Sequence, residues 1–125
     1  MKFVLAPELN SEINRIIDLL GLYYIKAENI ICFKSFGSKS RAIARIWSLP
    51  KIWQMALKKE AYYCIEVISE RFDKLSKDEK EKVLIHEILH IPKNFSGALL
   101  PHRQKRKKID KKTVERWHNL LISRS

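Results

Sequence analysis

The sequence predicts an α+β domain: a small mixed sheet packed on an N-terminal helix and on a helix near residues 76–91, with one more helix at the C-terminal end. Three observations predict it. Apolar residues at helical spacing open the chain, short β-branched and aromatic runs bounded by turn residues fill its middle, and two further helix-patterned segments close it. At 125 residues, 46% hydrophobic and 10% aromatic, the chain can build one core and is too short for two. A single domain over 1–125 is expected, with 103–125 as a basic segment and helix.

The first helix is PELNSEINRIIDLL, residues 7–20, in which Leu9, Ile13, Ile16, Ile17 and Leu20 share a face and Gly21 supplies the stop. NIICFKSF, residues 29–36, reads as a strand running into the Gly37-Ser38 turn. Between 42 and 68 the composition is β-prone and Pro50 divides it, because proline lacks the N–H that a central strand needs. Strands are expected at 42–48, 51–57 and 61–68. The last, AYYCIEVI, carries the strongest strand signal, with Tyr63, Ile65 and Val67 forming one apolar face.

The segment SKDEKEKVLIHEILHI opens on Ser76 with Glu79 three residues later, the signature of a capping box, and Pro92 closes it. A loop follows to His102. The final helix is expected to start near Asp110, with Val114, Trp117, Leu120 and Leu121 on one side. Trp47, Trp53 and Trp117 are expected in the core.

The formal charge is +11, and it is uneven: from Arg103 to Ser125 nine Lys or Arg face only Asp110 and Glu115. A positive field at one end attracts nucleic acid or acidic protein, and Arg103, Lys105, Arg106, Lys107 and Lys108 are the candidate phosphate contacts. That run lacks interleaved aromatics, so it suits backbone contact rather than base reading. Arg41 and Arg45 are candidates to meet a substrate carboxylate. The opening residues offer neither the apolar length nor the cleavage site of a signal peptide, and no run reaches the length of a membrane span. A cytoplasmic monomer with no membrane contact is expected. Cys32 and Cys64 are distant in sequence and lack metal-binding spacing, so both are expected as buried free thiols.

The chemistry concentrates in LIHEILHIPKNFSGALLPH, residues 84–102. Residues four apart on a helix lie on one face, so His86 and His90 can grip a single ion. Zinc takes neutral imidazoles, and a site that does chemistry keeps one position open for water. Glu87, beside the first ligand, can accept a proton from a water that the metal acidifies. His102 is the expected third ligand: the loop from 91 to 101 is long enough to bring it back, Gly97 allows the bend, and Phe95, Leu99 and Leu100 can form an apolar floor. Glu115 and His118 are the rival third ligands. Tyr62, Tyr63 and His118 are the candidates to bind substrate and stabilise the oxyanion.

These residues resemble the zincins, the metallopeptidases built on HExxH. More narrowly, HEILHIPKNFSGALLPH, with ARIWSLPKIWQMAL and YCIEVISERFDKLS upstream, resembles the small metallopeptidases of archaea and phages. The resemblance implies a zincin-like domain that binds Zn²⁺ through His86, His90 and His102, with Glu87 as general base, hydrolysing peptide bonds. It also implies that an edge strand of the sheet takes the substrate in extended form, and residues 61–68 are the expected edge. The chain departs from the metzincin pattern, since Lys93 stands where that subgroup has glycine and His102 comes twelve residues after His90. Two other functions compete: a DNA-associated zinc protease or nucleic-acid-binding protein anchored by the basic segment, and a non-catalytic zinc-binding regulator. The absence of a nearby cysteine as fourth ligand weighs against the last, because structural sites are usually closed.

Overall fold

The computed structural model describes residues 1–102 and 109–125. Four strands form one sheet: β1 (Lys2–Leu5), β2 (Ile30–Phe36), β3 (Ala44–Ser48) and β4 (Tyr63–Ile68), in the order β1-β2-β4-β3. The sheet is mixed, with β2 and β4 parallel and both outer pairings antiparallel. Helix α1 (Pro7–Leu20) joins β1 to β2, and α4 (Lys77–Ile88) and α5 (Lys111–Arg124) pack against one another. Two shorter helices, α2 (Lys51–Leu57) and α3 (Ser69–Phe72), flank β4 in sequence.

The α1 pattern does what its spacing dictates. All five expected residues, Leu9 to Leu20, are buried, and Gly21 closes the helix at φ 66°, a left-handed geometry that costs glycine little. Each such side chain contributes roughly 1.5–3 kcal/mol of burial. The core continues through Ile30, Cys32, Tyr63, Ile65 and Val67 on one face of the sheet to Leu84, Ile85 and Ile88 of α4 and Leu121 of α5. The apolar face of AYYCIEVI therefore points inward.

Four expectations are corrected. Residues 51–57 form a helix, not a strand: Pro50 sits at the helix start, where its missing N–H costs nothing, and Gln, Met, Ala and Leu are good helix formers. Residues 61–68 do not form an edge. β4 lies between β2 and β3, and five of its six residues are buried, which suits the most apolar strand of the chain. The edges are β1 and β3. β1 itself was not expected; its four residues are exposed, and it is specified by pairing with β2 rather than by burial. Finally, Trp47 and Trp53 are exposed, and of the three tryptophans Trp117 alone packs on the core.

The free thiols divide, with Cys32 buried and Cys64 half-buried. No helix among the described residues is long and apolar enough to cross a membrane.

Candidate metal centre

The capping box at the start of α4 forms as its sequence demands. Ser76 Oγ accepts from the Glu79 N–H, and the Glu79 carboxylate accepts from the Ser76 N–H. The helix ends at Ile88, so His86 and Glu87 lie in its last turn and His90 just beyond it, on a tightened turn closed by His90 N–H to Glu87 O at 3.1 Å. The two histidine rings remain neighbours, 5.1 Å apart between centroids.

The loop after Pro92 is pinned from three sides. Tyr63, fully buried in β4, accepts at its hydroxyl from Gly97 N–H at 2.8 Å and donates to Ala98 O at 2.9 Å. Gln54, the buried residue of α2, donates from Nε2 to Leu49 O at 2.8 Å and to Ser96 O at 2.9 Å. Gly97 is at φ 95°, and a Cβ there would stand 2.3 Å from Gln54 Nε2 and 2.6 Å from Leu49 O, so no other residue fits. The third tie is to His90 itself: Leu100 N–H donates to His90 O at 2.7 Å.

This loop delivers His102 onto the two helix histidines. His86 Nε2 and His102 Nε2 face each other at 3.1 Å, and the His102 ring lies 5.0 and 4.6 Å from those of His86 and His90. One nitrogen from each of the three falls within 4.8 Å of the others. Two nitrogens bound tetrahedrally at the usual zinc distance would stand about 3.3 Å apart, close to the observed gap.

Protonation is arranged to match. His90 Nδ1 lies 2.5 Å from Leu100 O; a carbonyl only accepts, so Nδ1 carries the proton and Nε2 is left with its lone pair. Burial, then the neighbouring His90 and His102, push the His86 pKa down to about 4, and burial also lowers that of His90. Both rings are neutral at neutral pH. Burial pushes Glu87 the other way, up to about 7, and its Oε2 lies 3.9 Å from His86 Nε2. A carboxyl tuned to that range can both take and return a proton near neutral pH.

The cluster opens onto a cleft of about 1240 Å³. One wall is the edge strand β3 with the preceding residues from Arg41; the other is α4 with Lys111, Val114 and Glu115 of α5, and Leu99, Leu100 and Pro101 close it below. Glu115 thus borders the cleft but is outside the histidine group. Tyr62, Tyr63 and His118 do not line it. Tyr63 spends its hydroxyl on the loop, and His118, 2% exposed, bonds Glu81 Oε1 at 2.9 Å. Arg45 borders the cleft already paired, through Nη2 to the buried Glu66 at 3.2 Å, and Trp47 Nε1 donates to the same carboxylate at 3.0 Å. Sequence reasoning took Leu100 only as part of an apolar floor and missed its main-chain bonds to His90; it also missed Gln54, which was hidden inside the false strand. The basic residues Arg103, Lys105, Arg106, Lys107 and Lys108 lie outside the described residues.

The donor set suits a borderline-soft cation such as zinc, being three imidazole rings that each bring a nitrogen to one point, with a carboxyl group alongside. A family model described as "Putative phage metallopeptidase" matches residues 1–123. No curated protein and no solved structure matches the chain.

Proposed function

The chain belongs to the phage metallopeptidase family, and from that premise we propose that it is a zinc-dependent peptidase with His86, His90 and His102 as ligands and Glu87 as general base. The observation that carries the reading is the convergence of three imidazole nitrogens within 4.8 Å beside a buried carboxyl group. Zinc held there would polarise the scissile carbonyl and acidify the attacking water. Glu87 takes the water's proton at a carboxylate oxygen and delivers it to the departing amine, returning to its starting state. The His90–Leu100 tie fixes the ring's tautomer and aim, and the anchored loop holds His102 in reach without reorganisation. Burial of Glu87 keeps its affinity for protons high.

Substrate lies extended along β3. As an edge strand paired on one side with β4, it offers main-chain groups on its other side, and Ala44 to Trp47 line the cleft.

The test is metal content and hydrolysis measured together. Purified protein should carry one zinc per chain and cleave a mixed peptide library, and Glu87→Gln should keep the zinc while losing about 10²–10⁴-fold in kcat. Zinc-loaded protein that leaves the whole library intact would sink the reading.

A further inference from the structure

Three cations border the cleft with no ion-pair partner among the described residues: Arg41 ahead of β3, Lys82 on α4 and Lys111 on α5. They come from three separate elements on both walls. Arg45 is different, being committed to Glu66. Of the carboxylates lining the cleft, Glu87 sits beside the histidines, and Glu79, whose bonds to Ser76 leave its charge in place, and Glu115 offset the three cations only in part. Between the charges the walls are apolar, with Ile43, Trp47, Leu99 and Leu100 among them. The cleft thus pairs an apolar lining with an excess of uncommitted positive charge.

We propose that the cleft selects peptide segments in which acidic side chains alternate with apolar ones, with Arg41, Lys82 and Lys111 as the counter-charges. This rests on the peptidase reading and names its substrate class. Along an extended peptide, successive side chains point to opposite sides, so a segment lying on β3 directs alternate residues toward the α4 and α5 wall, where Lys82 and Lys111 stand. Arg41 meets the end of the segment that runs beyond β3. The chain's +11 charge strengthens the encounter with an acidic segment but carries no positional preference.

The experiment measures binding and turnover separately. Two labelled peptides share their apolar residues, one bearing glutamates and the other lysines, and their binding to Glu87→Gln is followed by fluorescence anisotropy. The acidic peptide should bind more tightly by about tenfold, the sum of several exposed pairs each worth a factor of a few. Lys82→Glu with Lys111→Glu should abolish that preference. Lys51→Glu with Lys59→Glu, which changes net charge equally at exposed positions away from the cleft, should leave it. Equal binding of the two peptides, or equal loss in both double variants, overturns the proposal. So does displacement of the acidic peptide by a single-stranded oligonucleotide more readily than by unlabelled peptide, which would assign the cations to phosphate. Turnover by the wild-type protein reports on the parent reading: hydrolysis without preference overturns the charge assignment alone, and preference without hydrolysis supports that assignment while overturning the peptidase reading.

Discussion

Helix α4 carries two polar clusters that look alike as residue types. At its C-terminal end His86, His90 and His102 converge; one face of its first two turns brings Asp78 and Glu81 to His118 of α5. In the second cluster every buried group already has a partner: Glu81 gives one oxygen to His118 and the other to Arg15, which is also held by Glu12. In the first, His90 Nδ1 is held by Leu100 O, while the Nε2 atoms of His86 and His102 face each other at 3.1 Å. A ligand set is defined by lone pairs left pointing at one another, not by proximity. The closed cluster ties α1, α4 and α5 together; the open one turns a ring nitrogen of each of three histidines toward the others.

The sharpest way to break this comparison is to remove one histidine from each cluster. His90→Ala should reduce zinc from one per chain to a trace and abolish hydrolysis. His118→Ala should keep one zinc per chain while lowering the melting temperature. Elemental analysis of the two proteins decides it, and a zinc content that fell equally in both would erase the distinction.

A smaller effect separates the clusters by pH. Glu87 has a native pKa of about 7, above the ~4.3 of an unfolded glutamate, so the native state holds its proton longer. Stability from this group is present below pH ~4 and is lost as pH rises to 7, because above that the fold must bury a charge. His86, pushed down to about 4, acts oppositely, losing stability as pH falls from ~6.5 toward 4. The two trends offset each other in the wild-type protein. Comparison with Glu87→Gln isolates the first: in metal-free protein the variant should gain on wild type between pH 5 and 8 by up to ~3 kcal/mol in urea unfolding. A pH-independent difference would show that Glu87 is already ionised in the metal-free fold.

Glu81→Ala comes next. It strands His118 in the interior and leaves Arg15, whose side chain is 32% exposed, to Glu12 and water. The expected cost is about 2 kcal/mol, below that of a fully buried pair, with zinc content unchanged.

How much of this was legible in the sequence follows from what each signal depends on. The α1 face, the capping box and the start of α5 are local: spacing and capping residues decide them, and Asp110 does cap α5 by accepting from the Thr113 N–H. The meeting of the three histidines beside Glu87 was legible because the spacing of His86 and His90 and the length of the loop to His102 allow it; their roles as ligands and base are part of the proposal. The order of the strands was not, because AYYCIEVI reads the same whether it lies at an edge or in the middle, and only its two neighbours settle which. Residues 51–57 failed for a related reason. Ile52, Trp53, Met55 and Leu57 are all exposed, so no burial pattern marks α2 as a helix; the Pro50 start and the tie from Gln54 hold it instead.

That tie leads to the smallest predicted effect and the one that refines the comparison most. The open cluster depends on the loop as the closed one depends on its ion pairs, and the loop hangs on Tyr63. Tyr63→Phe keeps the ring, which packs edge-on against Phe95 with centroids 5.1 Å apart, and removes only the hydroxyl. Gly97 N–H then loses its acceptor and Ala98 O its donor, at a cost of about 1–3 kcal/mol if water cannot reach them. Since Gln54 and Leu100 still hold the loop on either side, the fold survives and the loss falls on how well His102 is presented. Zinc affinity should drop several-fold in a competition titration against a chelator, with His86 and His90 still binding. An affinity equal to wild type would mean that His102 finds the other two without help, and that the open cluster is organised by the metal rather than by the fold.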